Sequence, residues 1–394
     1  MKELLSQNVG IDLSKDNIDA VFAVKGMDQR IKFKASRKFS NTTAGFVQFE
    51  KWISDKRNEG TELRVLMEAT GIYYERLAWY FHERDYEVSV ILPTKAKRYL
   101  QALGLKSKND KMDARGLAQM GLEQLLPRWQ PLSKNIYGLR LLTRQMEDFN
   151  KQRTVYKNQL HSLDHSAYVT KEVEKGLKRL LKQLEKEIER LASAIEKTLK
   201  EDEALWPKVS RILTIPGVGL KTIAVLIAET NGFVSFEKQG QLVSYSGYDI
   251  VESQSGKRAG KTKISKKGNA HIRRAMHMPA LCVVRLDVPS FKALHTRLLA
   301  QGKAKMQSYV AIQRKLLVLI WALWQKDETF DAQFGQKTTV GNLTEKPPIF
   351  SSAAASVTDL EGGQELPVTK TDRSEDLPAR DELPENQLAE ALFQ

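Results

Sequence analysis

Four carboxylates in three short motifs carry the most chemical information in this chain. Asp12 sits in Val9-Gly10-Ile11-Asp12-Leu13-Ser14, an apolar segment with one acid in it. Glu68 closes the run Leu63-Arg64-Val65-Leu66-Met67-Glu68, just ahead of Ala69-Thr70-Gly71. Asp110 and Asp113 stand three apart in Lys108-Asn109-Asp110-Lys111-Met112-Asp113-Ala114-Arg115, which reads as a helix start. An acid inside an apolar strand is costly to bury unless it is paired or holds a metal. Acids from two strand ends and one helix face suit a hard cation such as Mg2+ or Mn2+, and such a centre does phosphodiester chemistry. Two other readings of the first motif are weaker. Lys15-Asp16-Asn17 replaces the small residues that a sugar-kinase phosphate loop needs, and Ser14 stands where a proofreading exonuclease carries a second acid.

A second cluster of chemical groups lies far along the chain. Ser253 to Arg274 holds eight Lys or Arg and no acid: Lys257, Arg258, Lys261, Lys263, Lys266, Lys267, Arg273 and Arg274. Gly256, Gly260 and Gly268 keep the backbone between them pliable, so the stretch can follow a phosphate backbone. Ser255 stands among these cations. It reads either as a phosphate-binding hydroxyl or as a nucleophile, which a base or metal would have to activate. Upstream, Ile215-Pro216-Gly217-Val218-Gly219 followed by Lys221 reads as a turn between two helices. Gly217, Gly219 and Lys221 either contact a nucleic-acid backbone there or simply make the turn. His161 and His165 are four apart on a helical stretch, a spacing open to zinc, but no third ligand is nearby.

The elements that must position these groups follow from periodicity. Strands are expected over 8–13, 18–24 and 31–35, the second alternating through Ile18, Ala20, Phe22 and Val24. A helix capped by Asn41 or Thr42 carries Phe46, Phe49, Trp52 and Ile53. Strand 63–68, helix 73–84, strand 88–92, a helix after Pro93 and the helix holding Asp113 complete the series. The order βββαβαβα predicts an α/β, ribonuclease-H-like mixed sheet with helices on its faces, over residues 1–130. Residues 131–204 are charged and nearly free of Gly and Pro. Leu177, Leu181, Leu184, Ile188, Leu191 and Ile195 trace a heptad seam, with a break at 166–170 and Thr170 as a helix cap. A coiled-coil arm or dimerisation element is expected there. Residues 205–330 read as a compact, mainly helical unit, and residues 331–394 as a disordered acidic tail.

Charge distribution narrows the partners. The total is +14, but residues 331–394 hold 12 acids against 5 bases, a net of −7, which leaves +21 on residues 1–330. A folded body with that excess attracts polyanions, nucleic acid first among them. The single cysteine, Cys282, excludes a disulfide framework and fits a reducing cytoplasm. No apolar leader is visible, and the longest apolar run, Leu316 to Trp324, falls far short of a membrane span.

Taken together, these motifs resemble the DEDD transposases of insertion-sequence family one-ten, or bridge-RNA-guided recombinases, with the Piv-type DNA invertases as relatives. The likeness rests on Gly10-Ile11-Asp12-Leu13-Ser14-Lys15, Glu68-Ala69-Thr70-Gly71, Asn109-Asp110-Lys111-Met112-Asp113-Ala114, Pro216-Gly217-Val218-Gly219, Ser255-Gly256 and Ile264-Ser265-Lys266-Lys267-Gly268-Asn269 with Arg273. It implies a RuvC-like domain whose metal-holding acids are Asp12, Glu68, Asp110 and Asp113. It also implies a C-terminal transposase domain with a helix-hairpin-helix and Ser255 as nucleophile. Donor and target DNA, a structured guide RNA and a dimer or tetramer are the implied partners, with no membrane. In the family a Gly-Leu-x-Pro stretch usually precedes the serine, whereas Gly247-Tyr248-Asp249-Ile250 stands here. The nucleophile therefore lies among Ser255, Ser253, Ser246 and Ser244.

Overall fold

A computed structural model describes residues 4–104, 109–252, 254–255, 258–259 and 263–332. Three strands open the chain: β1 (Leu4–Leu13), β2 (Asn17–Gly26) and β3 (Ile31–Ser40). They are followed by α1 (Thr43–Ser54), β4 (Leu63–Glu68), α2 (Glu75–His82), β5 (Glu87–Ile91), α3 (Pro93–Ala102) and α4 (Asp110–Glu123). The five strands form one sheet in the order β3-β2-β1-β4-β5. The β1–β2 and β2–β3 pairs are antiparallel, and β1–β4 and β4–β5 are parallel. This is the mixed sheet with helices on both faces that the element order predicts. Strands β1 to β3 run longer than expected, β3 to twice the expected length, β4 has the expected bounds and β5 begins and ends one residue earlier. The helix expected over 73–84 is shorter, because residues 71–74 form the turn that leaves β4.

Side-chain alternation along the strands sends each face to a different set of helices. Val9, Ile11 and Leu13 of β1 join Phe22, Val65 and Met67 under Phe46, Phe49 and Trp52 of α1 and Leu77 and Phe81 of α2. On the opposite face, Val21 and Ala23 pack on Ala114, Ala118 and Leu122, while Leu66 and Ile91 pack on Ala96, Leu117 and Met120. Thr42 caps α1 by accepting from the Gly45 amide, and Asn109 caps α4 by accepting from the Met112 amide.

The second half is helical. Helices α5 (Lys134–Asp164) and α6 (Lys171–Lys200) are followed by α7 (Trp206–Ile212), α8 (Leu220–Thr230) and α9 (Gln239–Tyr245). Four two-residue strands come next: β6 (Ile250–Val251), β7 (Gln254–Ser255), β8 (Arg258–Ala259) and β9 (Lys263–Ile264). Helices α10 (Ala270–Ala275), α11 (His277–Arg285), α12 (Pro289–Ala300) and α13 (Lys305–Lys326) close the described chain. The apolar run 316–324 lies in α13 and is largely buried, with Leu316, Leu317 and Ile320 wholly inside. Among the described residues no helix is long and apolar enough to cross a membrane.

Helices α5 and α6 run antiparallel, as the bond from Asn135 near the start of α5 to Asp202 beyond the end of α6 shows. Ile188 and Ile195 of the heptad seam are buried, and Leu177, Leu181, Leu184 and Leu191 are half-buried. Ile136, Leu139 and Met146 of α5 and Ile188, Ile195 and Leu199 of α6 share one core with α7 to α13. The two long helices are therefore rooted in the helical region. Thr170 does stand at the start of α6, but its side chain makes no capping bond; Glu172 and Glu174 supply the negative charge that a helix N-terminus favours.

Strand β1 and helix α4 approach each other very closely. A Cβ on Gly10 would sit 2.0 Å from the Ala118 amide nitrogen and 2.3 Å from the Ala114 carbonyl oxygen. Gly10→Ala is expected to lower stability by about 3 kcal/mol through overpacking against backbone that cannot give way. Chemical denaturation tests this; an unchanged unfolding midpoint would contradict the packing argument.

Candidate active site

The four acids come together because three elements end or begin at one edge of the sheet. Asn8, Gly10 and Asp12 share one face of β1, the face that meets α4. Gly10 touches Ala114 and Ala118, and Asn8, fully buried, donates through Nδ2 to the Ala118 and Leu117 carbonyls at 2.9 and 3.3 Å. A Cβ on Gly121 would collide with the Asn8 amide, so glycine there is what admits the bond. Helix α4 therefore runs back along β1, and one turn before Ala114 the same stripe holds Asp110, with Asp113 alongside. Both acids occupy the first helical turn, where the helix dipole favours negative charge. Strand β4 lies parallel to β1 with Met67 opposite Ile11, so Glu68 and Asp12 leave neighbouring strand ends. Thr70 donates its hydroxyl to Glu68 at 3.4 Å.

The electrostatics record this convergence. Burial pushes the Asp12 carboxyl up, to about 7, and the negative charges of Asp110, Asp113, Glu68 and Asp19 push it the same way. Asp19 is a fifth acid that the motifs did not reveal. It pairs with Asp12 across the β1–β2 ladder and bonds Lys38 at 3.3 Å. The hairpin register was the available signal, since the turn closed by Ser14 and Asn17 sets residue 12 opposite residue 19. A donor set of carboxylates that repel one another fits a hard divalent cation. Among the described residues no three acids, imidazoles or thiols already stand at ligand spacing, so the acids are gathered without forming a closed cage. A cavity of about 560 Å³, lined by Phe46, Trp79, Tyr80 and Tyr137 among others, contains none of the four.

Ser255 lies elsewhere, on the ribbon between α9 and α10. Strands β6 and β9 pair Ile250 with Ile264, and β7 and β8 pair Ser255 with Arg258. Ser253, Lys257 and Lys261, and the side chains of Ser255 and Arg258, lie outside the described residues. Below the ribbon, Gly247 (φ +72°) and Gly268 cross almost in contact: a Cβ on Gly268 would meet the Gly247 nitrogen at 2.5 Å. The Lys266 amide bonds the Gly247 carbonyl, and Ser265 bonds Asp249 through both amide and hydroxyl. This crossing explains why glycine is needed at 247 whatever follows it. Of the other serines, Ser246 is fully buried, which removes it as a nucleophile for an external phosphate; Ser244 is exposed on α9.

The remaining cations divide into two groups. Lys221, Lys263, Lys266 and Lys267 are exposed. Arg273 instead donates to the Ser246 and Asn269 carbonyls, and Arg274 pairs with Glu147 of α5, so both guanidinium groups are engaged within the chain. Gly217 has φ +80° and packs on Cys282, a structural turn, whereas Gly219 begins α8 with open space around it. His161 and His165 face each other at the end of α5 with Nε2 atoms 3.3 Å apart.

Beneath the ribbon sits Glu229 of α8, its side chain 1% exposed. It accepts two bonds from Arg144 of α5, at 2.7 and 3.0 Å, and one from Asn269 at 2.7 Å. Burial pushes this carboxyl up, but the bonds from Arg144 and Asn269 and the charges of Arg140 and Arg144 outweigh it and hold the group below its ordinary value. Sequence reading missed Glu229, because nothing local in Ala228-Glu229-Thr230 reveals a partner 85 residues away.

Comparison with known proteins identifies the family. A transposase model, DEDD_Tnp_IS110, matches residues 9–169, and a second model, described as Transposase IS116/IS110/IS902 family, matches residues 209–296. The pilin gene-inverting protein of Moraxella lacunata is 31% identical over 324 residues, covering 82% of this chain and 97% of that protein. The chain belongs to the IS110-type DEDD transposases. A transposase for insertion sequence element IS1111A from Coxiella burnetii is 23% identical over 351 residues, 82% of this chain and 90% of that one. Thermus thermophilus RuvC aligns over 31% of this chain and 99% of its own at 12% identity, but the TM-score of 0.24 is too low to carry weight. As a member of this family the protein is a recombination enzyme, and DNA is its partner.

Two outcomes test the geometry. Asp12 binds a proton more tightly folded than unfolded, so the metal-free fold loses stability as pH rises from about 4 through about 7. In a chelator-containing buffer Asp12→Asn should therefore raise the thermal midpoint at about pH 8 and leave it unchanged near pH 4; equal midpoints at the higher pH would contradict the repulsion. Glu229→Ala removes the buried acceptor of Arg144 and Asn269 and leaves two half-exposed arginines without their carboxylate, and is expected to cost about 2–3 kcal/mol, measured by urea unfolding. A loss below about 1 kcal/mol would place the pair among ordinary surface bridges.

Proposed function

We propose that this transposase cuts and rejoins DNA through a serine nucleophile working with a divalent-metal centre at Asp12, Glu68, Asp110 and Asp113, with sequence choice delegated to a guide RNA. The observation that carries the metal centre is the Asp12 carboxyl, raised by its burial and by four neighbouring acids at one edge of the sheet. A divalent ion, Mg2+ or Mn2+, supplies polarisation of the scissile phosphate and a lowered pKa for an attacking hydroxyl. The residues themselves hold that charge in place, and the Asn8 and Gly10 contacts fix Asp110 and Asp113 opposite Asp12.

In this reading the Ser255 hydroxyl forms a bond to phosphorus and gives up its proton. The deoxyribose oxygen leaves and is protonated in turn. The phosphoserine keeps the ester linkage, so a second DNA hydroxyl rejoins the strand by the reverse displacement without external energy. Lys263, Lys266 and Lys267, exposed at the ribbon base, would bind flanking phosphates. Acids and serine sit in separately cored regions, which supports a site completed between subunits, with the α5–α6 arm as the coiled-coil element that joins them. Residues 1–130, 131–204 and 205–330 would then act as catalytic domain, arm and transposase domain, with 331–394 as an acidic tail.

A second reading, programmed inversion in place of transposition, is favoured by the near full-length match to the pilin gene-inverting protein. The DNA beside the gene separates the two: a structured non-coding end supports the guided transposase, and inverted repeats around a promoter or surface-protein gene support the invertase.

Ser255→Ala is expected to abolish strand exchange and the covalent protein–DNA adduct on denaturing gels while DNA binding persists. Asp12→Asn should abolish both adduct and exchange. Strand exchange by Ser255→Ala would assign the chemistry to water or to another serine, and exchange by Asp12→Asn would remove the acids from the mechanism.

A further inference from the structure

Helix α4 faces two ways. Asp110, Asp113 and Ala114 turn toward β1, while Lys111 and Arg115, one turn apart, turn toward β2 and β3. Two adjoining concavities follow that second face. One, of about 180 Å³, is lined by Asp19, Ala20, Val21, Ser36, Arg37, Lys38 and Lys111. The other, of about 370 Å³, is lined by Val21, Phe33, Lys34, Ala35, Ser36, Lys111, Met112 and Arg115. They share Val21, Ser36 and Lys111, so they form one groove, and one end of it reaches Asp19, the cross-strand partner of Asp12.

Five cations rim this groove: Lys34, Arg37, Lys38, Lys111 and Arg115, all exposed. Lys38 pairs with Asp19, but among the described residues no acid pairs with the other four. Arg115 lies over the Phe33 ring at 4.0 Å, which fixes its guanidinium at the groove wall. Lysines on an edge strand such as β3 have an ordinary use, since they discourage pairing with another sheet. That use does not extend to Lys111 and Arg115, which are on a helix and repel each other at this spacing. Four cations held together on two elements, with Asp19 of the lining already paired to Lys38, mark a polyanion site.

We propose that this groove binds the phosphodiester backbone of the DNA strand whose scissile phosphate lies at the four acids. The inference rests on the proposed function for the position of that phosphate, and on this geometry alone for the groove. The arrangement separates tasks along one helix: its acidic stripe collects cations at the reaction centre, and its basic stripe carries the strand into it. Backbone contacts of this kind set register and orientation and carry no sequence information, which suits an enzyme whose target is chosen by other means.

The test uses the full-length protein in a chelator, so that no cutting occurs, with a synthetic four-way DNA junction of arbitrary sequence as probe. Lys34→Glu with Lys111→Glu is compared with the parent by fluorescence anisotropy over a salt series. Both positions are exposed, and circular dichroism checks that the fold is kept. Binding is expected to weaken at least about tenfold, and the slope of log affinity against log salt to fall by about two, one for each phosphate no longer neutralised. Ser255→Ala should keep the parent slope, so failure of the serine mechanism and failure of the groove give different results. An unchanged slope in the double variant overturns the proposal. So does a variant that binds the junction like the parent but loses affinity for a structured RNA, since the groove would then hold RNA.

Discussion

The contact between β1 and α4 is the constraint on which the chemistry of this protein depends. Gly10 and Gly121 remove side-chain bulk from both partners, and Asn8 replaces it with hydrogen bonds to the helix backbone. The helix is thereby held so close that its first turn lies beside the end of β1. Asp12 must then share space with Asp110 and Asp113, with Glu68 entering from the next strand. Apolar packing on both sheet faces supplies the stability that sets this repulsion in place. Clustered, perturbed charge of this kind is characteristic of functional sites, and a divalent cation would relieve the repulsion.

A different device holds the serine region. There the ribbon is too short to be stable through its own ladder, and its base is fixed from beneath. The crossing of Gly247 over Gly268, the Arg273 bonds to two carbonyls and the buried Glu229 between Arg144 and Asn269 form a continuous support. Because Arg144 belongs to α5, and Tyr137 of the same helix bonds Glu75 just past β4, one long helix touches both the ribbon support and the sheet region.

How much of this is legible in the sequence depends on the range of the interaction. Asp12 and Glu68 stand out because each breaks a local rule, a charge in an apolar strand and a charge at a strand end, and Asp110 and Asp113 stand out by their spacing at a capped helix start. The sheet order follows from alternation and from the sequence of elements. Asp19 and Asn8 do not stand out, since their meaning lies in a ladder partner and in a helix more than a hundred residues away. Arg273 and Arg274 read as free cations in a basic run, because charge is visible in a sequence and Ser246 and Glu147 as partners are not. The groove along α4 is hidden for the same reason: Lys34 and Lys111 are distant in sequence and become neighbours only through the β2–β3–α4 packing.

The central claim is that crowded acids at the edge of the sheet make a cation site. Its most direct measurement is the thermal midpoint of the full-length protein against Mg2+ concentration at two pH values. Above pH 7, where Asp12 is ionised, Mg2+ should raise the midpoint markedly; near pH 5, where a proton already relieves the repulsion, the rise should be much smaller. A midpoint that does not move with Mg2+ at either pH would contradict the account.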